Sequence, residues 1–370
     1  MSMALAAALL VALDVPPSPI RDDEDVVFYP TYGRQIAGGT RWALVVHGRI
    51  FEPEGDSLKR AAALGLMWRL LGLSREQAET ARFKQRARAF LVDNERGKAM
   101  AIRLGETIHP AGTSGPDGHF AATIELPGDE VERLRAAAPG DGDWIAFEAV
   151  TRPGDRRRFA GRVRRIGPEG LSVISDVDDT IKVTEVHDRA ALLANTFLRE
   201  FRPVEGMAEV YRSWARSGAV FHYVSASPWQ LYGPLSEFVE TQGFPAGTFH
   251  LKPFRLKDAS AIEFVTSQQD HKNRLIEGIL RDFPQRRFVL VGDSGEQDPE
   301  VYGAVARRHP SQIVRILIRR APGPARAPDR FERAFAGVPK NKWSVFDDPD
   351  PLCREALTPG GGAFIDSSPP

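Results

Sequence analysis

The stretch "SVISDVDDTIKVTEV", residues 172–186, closes a short apolar run with three aspartates, Asp176, Asp178 and Asp179, within four positions. Like charges so close repel one another, so the cluster calls for a local counter-charge, and a divalent metal ion is the simplest candidate. The run "LSVIS" that begins at Leu171 reads as a buried strand and delivers Asp176 at its carboxyl end. Downstream the same pattern recurs. A helix near Gly206–Arg216 is followed by "VFHYVS" (220–225), a helix near Pro228–Gln242, a helix from Lys272 to Phe283, and the strands "RFVLVG" (287–292) and "IVRILI" (313–318). Met207, Val210, Tyr211 and Trp214 fall at i, i+3, i+4 and i+7, and Ser227-Pro228 reads as an N-cap with Pro at the first helical position. The fold class expected from Leu171 onward is α/β, a mostly parallel sheet with covering helices. In such sheets ligands bind beyond the carboxyl ends of the strands.

The chain has 370 residues, ample for two domains. Forty-nine basic residues balance forty-nine acidic ones, so no overall field draws the chain to nucleic acid. A single cysteine, Cys353, excludes an intramolecular disulfide and a cysteine zinc site, and its Pro/Asp-rich surroundings mark it as a spectator thiol. The apolar run Met3–Leu13 is too short to span a bilayer. Residues 1–20 therefore read as a signal-like leader that would take the protein out of the cytoplasm; the alternative is a frayed helix on a cytoplasmic protein peripheral to a membrane. No transmembrane segment is expected elsewhere.

Residues 21–168 read differently. "RDDEDVVFYPTYG" is acidic and turn-rich, and "RWALVVHGRIF" (41–51) alternates like a strand. A helical pattern runs from Ser57 to Leu71, and a second opens at "SREQ", where Ser74 and Gln77 have capping-box spacing. Strand patterns return in "RAFLVDN", "KAMAIRL", "HFAATIEL", "DWIAFEAV" and "RFAGRVRRI", separated by turn clusters such as "PAGTSGPDG". A β-rich, sandwich-like domain with a helical insertion is expected before the α/β domain of 169–350, and a Pro/Gly-rich flexible tail over 351–370.

The chemistry gathers at the predicted strand ends. A carboxylate such as Asp176 can attack phosphorus, and a second, Asp178, can protonate the leaving oxygen and then take a proton from water. Thr180 lends a hydroxyl to the turn. Ser225 ends its strand, and its hydroxyl with the following backbone N–H of Ala226 suits a phosphoryl oxygen; Ser227 is read as the helix cap. Lys272, in a first helical turn where the helix dipole disfavours a cation, asks for an anionic partner. Asp293 and Asp298 follow the strand at 287–292, and oxygen donors on a strand-end loop are what Mg²⁺ prefers, although Asp298-Pro299 also reads as a helix start.

The motifs D-x-D-x-T (Asp176–Thr180), the strand-terminal Ser225, Lys272 and G-D-x-x-x-x-D (Gly292–Asp298) together resemble the haloacid dehalogenase-like superfamily. The wording "SDVDDTIKVTEV", "NTFLREFRPVEGM", "FHYVSASPWQLY", "GTFHLKPFRLKD" and "FVLVGDSGEQDPEVY" is similar to the catalytic domain of the actin-patch phosphatidate phosphatase family, from about Ser172 to Arg319. The resemblance implies a HAD-like fold and Mg²⁺-dependent hydrolysis of phosphatidate. It further implies Asp176 as nucleophile, Asp178 as general acid/base, Ser225 as the phosphate-binding hydroxyl, and Lys272 as the neutralising cation. Mg²⁺ would be held by Asp176, the Asp178 carbonyl and Asp293, with Asp298 in support. Asp179 has no obligatory role in that pattern and is read as a supporting residue behind the site. A phosphorelay receiver uses similar residue types, but there the acidic pair precedes the phosphorylated aspartate, and the order here excludes it.

The segment "IKVTEVHDRAALLANTFLREFRPVEG" (181–206) reads as a flap rather than a full cap domain. Its Leu192, Leu193, Phe197, Leu198 and Phe201 are candidates to meet an acyl chain, with Arg202 for the phosphate; the competing reading packs them on the core. Lys252, Phe254, Arg255 and Lys257 suit an anionic membrane surface, which makes a phospholipid the expected partner. A phosphatase for another phosphomonoester, or a phosphatidate-binding module without turnover, are the alternatives.

Overall fold

The structure is a computed structural model that describes residues 15–53, 64–69, 71–137, 143–253, 268–323, 327 and 329–354. The apolar run Met3–Leu13, most of the Ser57–Leu71 pattern, Phe254, Arg255, Lys257 and the last sixteen residues lie outside the described residues.

Nine strands form the first sheet: β1 (Asp25–Phe28), β2 (Thr31–Ile36), β3 (Arg41–Glu52), β4 (Asp93–Asn94), β5 (Ala99–Leu104), β6 (Thr107–Thr113), β7 (His119–Pro127), β8 (Trp144–Ala149) and β9 (Ala160–Ile166). The hydrogen-bonded order is β1-β3-β2-β9-β8-β5-β6, with β7 and β4 also paired to β3. The expected sandwich is thus one continuous sheet that curls around a single core of Leu44, Val46, Ile102, Ile124, Phe147, Val163 and their neighbours. The cause lies in β3. Its first half pairs with β2, its second half with β1, and β7 lines its other edge from Arg41 to Arg49. Three further expectations change. "RDDEDVVFYPTYG" contributes β1 and the start of β2, and "PAGT" belongs to β6. "RAFLV" ends a helix instead of forming a strand, because Phe90 turns inward to the core shared with the second half. The capping box at Ser74 and Gln77 is present and opens α1 (Arg75–Glu79); α2 (Ala81–Arg88) follows.

The second sheet is parallel throughout, in the order β12 (Gly247–Lys252), β11 (Val220–Pro228), β10 (Leu171–Ser175), β13 (Arg287–Asp293), β14 (Ile313–Arg319), β15 (Trp343–Phe346). The chain builds outward from β10 through β11 to β12, then returns to the opposite side of β10 with β13. The switch point therefore falls between β10 and β13, where a crevice opens beyond the strand ends. α3 (Met207–Arg216), α4 (Tyr232–Thr241), α5 (Gln268–Asp282) and α6 (Asp298–Arg308) cover the sheet. In α3 the buried residues are Met207, Val210, Tyr211 and Trp214, the set its spacing predicted. β11 runs on to Pro228, and a 3-10 turn at Trp229–Leu231 precedes α4, so the Ser227 side chain caps no helix. Instead of a mobile tail from 351, Asp350–Arg354 is helical, with Leu352 in the core and the Cys353 carbonyl on the Ser213 hydroxyl. No helix among the described residues is long and apolar enough to cross a membrane.

The two halves share a core. Tyr29, Met67, Ala78, Phe83, Ala87 and Phe90 pack with Val173, Phe197, Phe201 and Trp229. The predicted flap folds as a helical turn, Arg189–Leu193, running into a π-helical turn, Ala194–Leu198. Its Leu193, Phe197 and Phe201 are buried, with Phe197 against Phe83 and Phe90, and Phe201 against Phe238. These three are core residues, not an acyl-chain surface.

A shared core predicts cooperative unfolding. Calorimetry of the whole chain should show one transition, with Phe83→Ala lowering stability by about 3–5 kcal/mol. A fragment starting at Glu169 should bind a hydrophobic dye through its uncovered face. Two separate transitions and a dye-silent fragment would contradict the shared core.

Candidate active site

β10 and β13 are neighbours with Ser175 opposite Val291, so the residues that follow, Asp176 and Gly292-Asp293, emerge side by side. The Asp176 N–H donates to the Val291 carbonyl at 2.9 Å and fixes that register past the strand end. Gly292 is required by packing: a Cβ there would lie 2.3 Å from Asp298 Oδ2 and 2.7 Å from the Tyr302 ring.

α5 carries Lys272 into the crevice. Its ammonium is buried and meets three carboxylates: Asp298 Oδ1 at 2.5 Å, Asp176 Oδ1 at 2.7 Å and Glu296 Oε2 at 3.1 Å. Hydrogen bonds run to Glu296 and Asp298, whereas Asp176 Oδ1 is held as an ion pair and accepts no hydrogen bond among the described residues. Burial alone would push its pKa down, but Asp176, Asp298 and Glu296 outweigh it and hold the lysine charged, well above its usual range. Thr180 Oγ1 donates to the other Asp176 oxygen at 3.1 Å. Burial drives the Asp176 carboxyl up to about 7, with Lys272 pulling down and Glu296 and Asp178 repelling. Burial likewise lifts Asp298 to about 6, raises Glu296, and raises Asp293 well above the carboxylate range.

Asp178 is in a different state. Its Oδ1 accepts from Thr184 Oγ1 and pairs with Lys182 Nζ, each at 2.8 Å; its Oδ2 accepts from Ser227 at 2.9 Å and Ser225 at 3.1 Å. Burial pushes this group up, but the Lys182 charge and the hydrogen bonds from Lys182, Thr184 and Ser227 win, and it is held down at about 2. Asp179, the third of the cluster, adopts a positive φ of 53°. Its carboxylate accepts the backbone N–H groups of Thr184, Glu185 and Val186, each at 2.8 Å, and its carbonyl accepts from Arg319 at 2.7 Å. It shapes the loop.

One oxygen from each of Asp176, Asp293 and Glu296 lies within 4.8 Å of the others. Asp293 Oδ1 accepts from the Gly295 and Glu296 N–H groups, whereas its buried Oδ2 has no hydrogen-bond partner among the described residues. Five carboxylates, Asp176, Asp178, Asp293, Glu296 and Asp298, face two ammonium groups, Lys182 and Lys272. An all-oxygen donor set with a bare buried carboxylate oxygen and an excess of negative charge fits a hard divalent cation.

Of the residues singled out from the sequence, Thr180 and Lys272 each touch Asp176, on opposite oxygens, and Asp178 with Ser225 forms an adjoining pair. Asp298 turns to Lys272 and to the Asp293 N–H, while Glu296, absent from the sequence reading, takes the position beside Asp176 and Asp293. Ala226 is half-buried at the end of β11. Arg202 is exposed and its guanidinium contacts none of these side chains. Lys182 and Glu296 were missed, and Ser227, assigned to a helix cap, instead donates to Asp178. Lys182 and Glu296 each lie within a quoted motif, at a position for which residue type alone gave no role.

Residues 171–320 match the sequence profile of the family described as "Phosphatidate phosphatase APP1, catalytic domain". That segment has the family's pattern. It holds every residue of the site just described. Over 158 residues the chain is 39% identical to "Phosphatidate phosphatase APP1" of Saccharomyces cerevisiae, and over 167 residues 32% identical to an uncharacterized protein of Schizosaccharomyces pombe. The alignments cover 42% and 44% of this chain, and only 26% and 27% of those proteins, so the chain spans about a quarter of the length of the curated relatives it matches. Among solved structures, that of DsGPDH of Dunaliella salina aligns over 49% of this chain and 35% of its own, at 16% identity and a TM-score of 0.31, too distant to inform the fold.

The raised carboxylates set a pH test for the APP1-like site. Asp176 and Asp298, at about 7 and 6, keep protons that the unfolded chain releases near 3.8. Their contribution to stability is complete below the unfolded value and is lost as pH rises through 6 to 7. A cation bound among these carboxylates would replace those protons, so its stabilisation would grow over the same window. In chelator-treated protein, Mg²⁺ should raise Tm more at about pH 8 than at about pH 5.5, and Asp293→Asn should remove most of the increment. Equal increments at both pH values, or a full increment in the variant, would place the ion elsewhere.

Proposed function

We propose that the protein is a Mg²⁺-dependent phosphatidate phosphatase of HAD-like fold, releasing diacylglycerol and phosphate through a phosphorylated Asp176. The observation that carries this reading is the buried Asp176–Lys272 pair at a strand end, within the segment 39% identical to the yeast phosphatidate phosphatase. Asp176 would be the nucleophile, with Thr180 steadying Oδ2 and Lys272 beside Oδ1 offsetting the incoming phosphate charge. Ser225, with the Ala226 backbone, would receive a phosphoryl oxygen. Asp178 would pass a proton to the glycerol oxygen as the P–O bond breaks, then take one from the water that attacks phosphorus on Asp176. A group held at about 2 is a poor donor, so the acid must first lose some of its hydrogen bonds. Substrate supplies the means: once Ser225 turns to the phosphoryl oxygen, Asp178 Oδ2 keeps only Ser227, and the phosphate charge nearby favours its protonation.

Asp176, Asp293 and the Asp178 carbonyl, with Glu296 within reach, would hold Mg²⁺, whose charge would polarise the phosphoryl oxygens. The phospholipid would be met at a membrane surface, with recognition of its chains resting outside the buried Leu193, Phe197 and Phe201.

Phosphate release from phosphatidate in detergent micelles should require Mg²⁺ and fall by roughly 10²–10⁴ in Asp178→Asn, and at least as far in Asp176→Asn. Release from soluble phosphomonoesters alone would retain the chemistry and discard the lipid. Tight phosphatidate binding without release would overturn the enzyme.

A further inference from the structure

Lys182 has no role in the mechanism so far, yet it is among the largest fully buried side chains of the molecule. Burying an ammonium is costly unless it is paired. Its one carboxylate partner among the described residues is Asp178 Oδ1, at 2.8 Å. The ammonium also donates to Thr184 Oγ1 and lies 4.8 Å from the centre of the Phe201 ring. The backbone fixes it from several sides. The Lys182 N–H donates to Val177 at 3.0 Å, its carbonyl accepts from the Asp179 N–H at 2.7 Å, and it bridges to Asp178 and to Pro203. The stem of Lys182 is thus part of the same tight loop that presents Asp178, and its head cannot follow a moving carboxylate far.

The two oxygens of Asp178 are held by different parts of the protein. Oδ1 is gripped from its own loop, by Lys182 and Thr184, and Oδ2 faces the end of β11, with Ser225 and Ser227. A phosphoryl group that recruits the Ser225 hydroxyl loosens Oδ2 alone. Lys182 and Thr184 keep Oδ1 where it is, and so decide which oxygen faces the substrate.

Building on the phosphatase reading above, we propose that Lys182 is a positioning residue for the proton transfers. By fixing Asp178 Oδ1 together with Thr184, it makes Oδ2 the oxygen that gives a proton to the leaving alkoxide and recovers one from the attacking water. The balance is complete within the two half-reactions. The proton lost from Oδ2 appears on the alcohol product as the P–O bond breaks, and the proton regained comes from the water whose oxygen joins phosphorus as the Asp176–phosphorus bond breaks.

The test is a double-mutant cycle on phosphatidate in micelles, with Lys182→Met and Asp178→Asn, alone and combined. Lys182→Met should lower kcat by about 100-fold with KM within a few-fold, and should cost nothing further in the Asp178→Asn background. Thr184→Val, close in shape and lacking only the hydroxyl, should show the same pattern at about 10-fold, and it serves should Lys182→Met fail to fold. An aryl phosphate, whose leaving group departs without a proton, should release its first equivalent of aryl alcohol in Lys182→Met and Thr184→Val at close to the wild-type rate, while steady-state turnover, which still needs the base, falls. Losses that add in the cycle, or that slow the first release of aryl alcohol as much as they slow lipid turnover, would make Lys182 merely structural and overturn the inference while the phosphatase reading stands. No phosphatidate turnover by the wild-type protein would instead overturn the reading on which it is built.

Discussion

Lys272 brings one positive charge to three buried carboxylates, and the arrangement of the second half of the chain follows from that contact. The ammonium can reach Asp176, Glu296 and Asp298 only if β10 and β13 lie side by side and α5 is packed on the sheet. Desolvation opposes charge on every partner, so each group depends on the others being in place. Asp298 links the ion pairs to the backbone, with one oxygen on Lys272 and the other on the Asp293 N–H, and the bare Gly292 leaves room for it. Fold and site are therefore one construction here. The strand order that makes the crevice also aligns the charges.

The aspartates of the opening motif are neutralised in three ways, and the differences separate their tasks. Asp179 is satisfied by backbone N–H dipoles and has become part of the loop. Asp178 is satisfied by a lysine and three hydroxyls, groups that a substrate can displace one at a time. Asp176 shares its lysine with two other acids and lies beside Asp293, which keeps one oxygen bare. Under-compensation is the mark of a place built to receive something positive, and it falls on the strand-end residues alone.

Much of this was legible in the sequence because the signals were local. An apolar strand ending in Asp176, another ending in Asp293, and the α3 periodicity need no knowledge of partners, and the parallel sheet followed from their alternation. What escaped depends on contacts between distant segments. Ser227-Pro228 has the chemistry of a helix start, yet β11 continues through it because β12, which was not foreseen as a strand, pairs with Pro228 at Lys252. The flap's apolar residues could have faced a lipid or the core, and Phe83 and Phe90, from another half of the chain, settle it. Glu296 lies between two acids already assigned, and only the N–H groups of its loop, turned to Asp293, bring its carboxylate round to Asp176. Lys182 is four residues from Asp178, a spacing that means nothing outside a helix until the tight loop is seen.

The APP1-like segment does not enclose its site by itself. Trp229, two residues past Ser227, packs at 4.1 Å on Tyr29 and against His47, both from the curled sheet, and burial holds His47 uncharged, with its pKa lowered to about 3. On the other side Arg86 of α2 donates to the carbonyls of Thr196 and Arg199 at 2.6 and 2.8 Å, closing the π-helical turn of the flap, and its guanidinium lies 3.9 Å above Phe201. Phe201 is the ring that lies against Lys182. Asn195, within the same turn, donates to the Thr184 carbonyl at 3.0 Å. The first half of the chain thus braces both segments that hold Asp178, the loop bearing Lys182 and Thr184 and the strand end bearing Ser225 and Ser227. A carboxylate that must keep one oxygen still while releasing the other needs walls on both sides, and the curled sheet with its helices supplies the outer face of each.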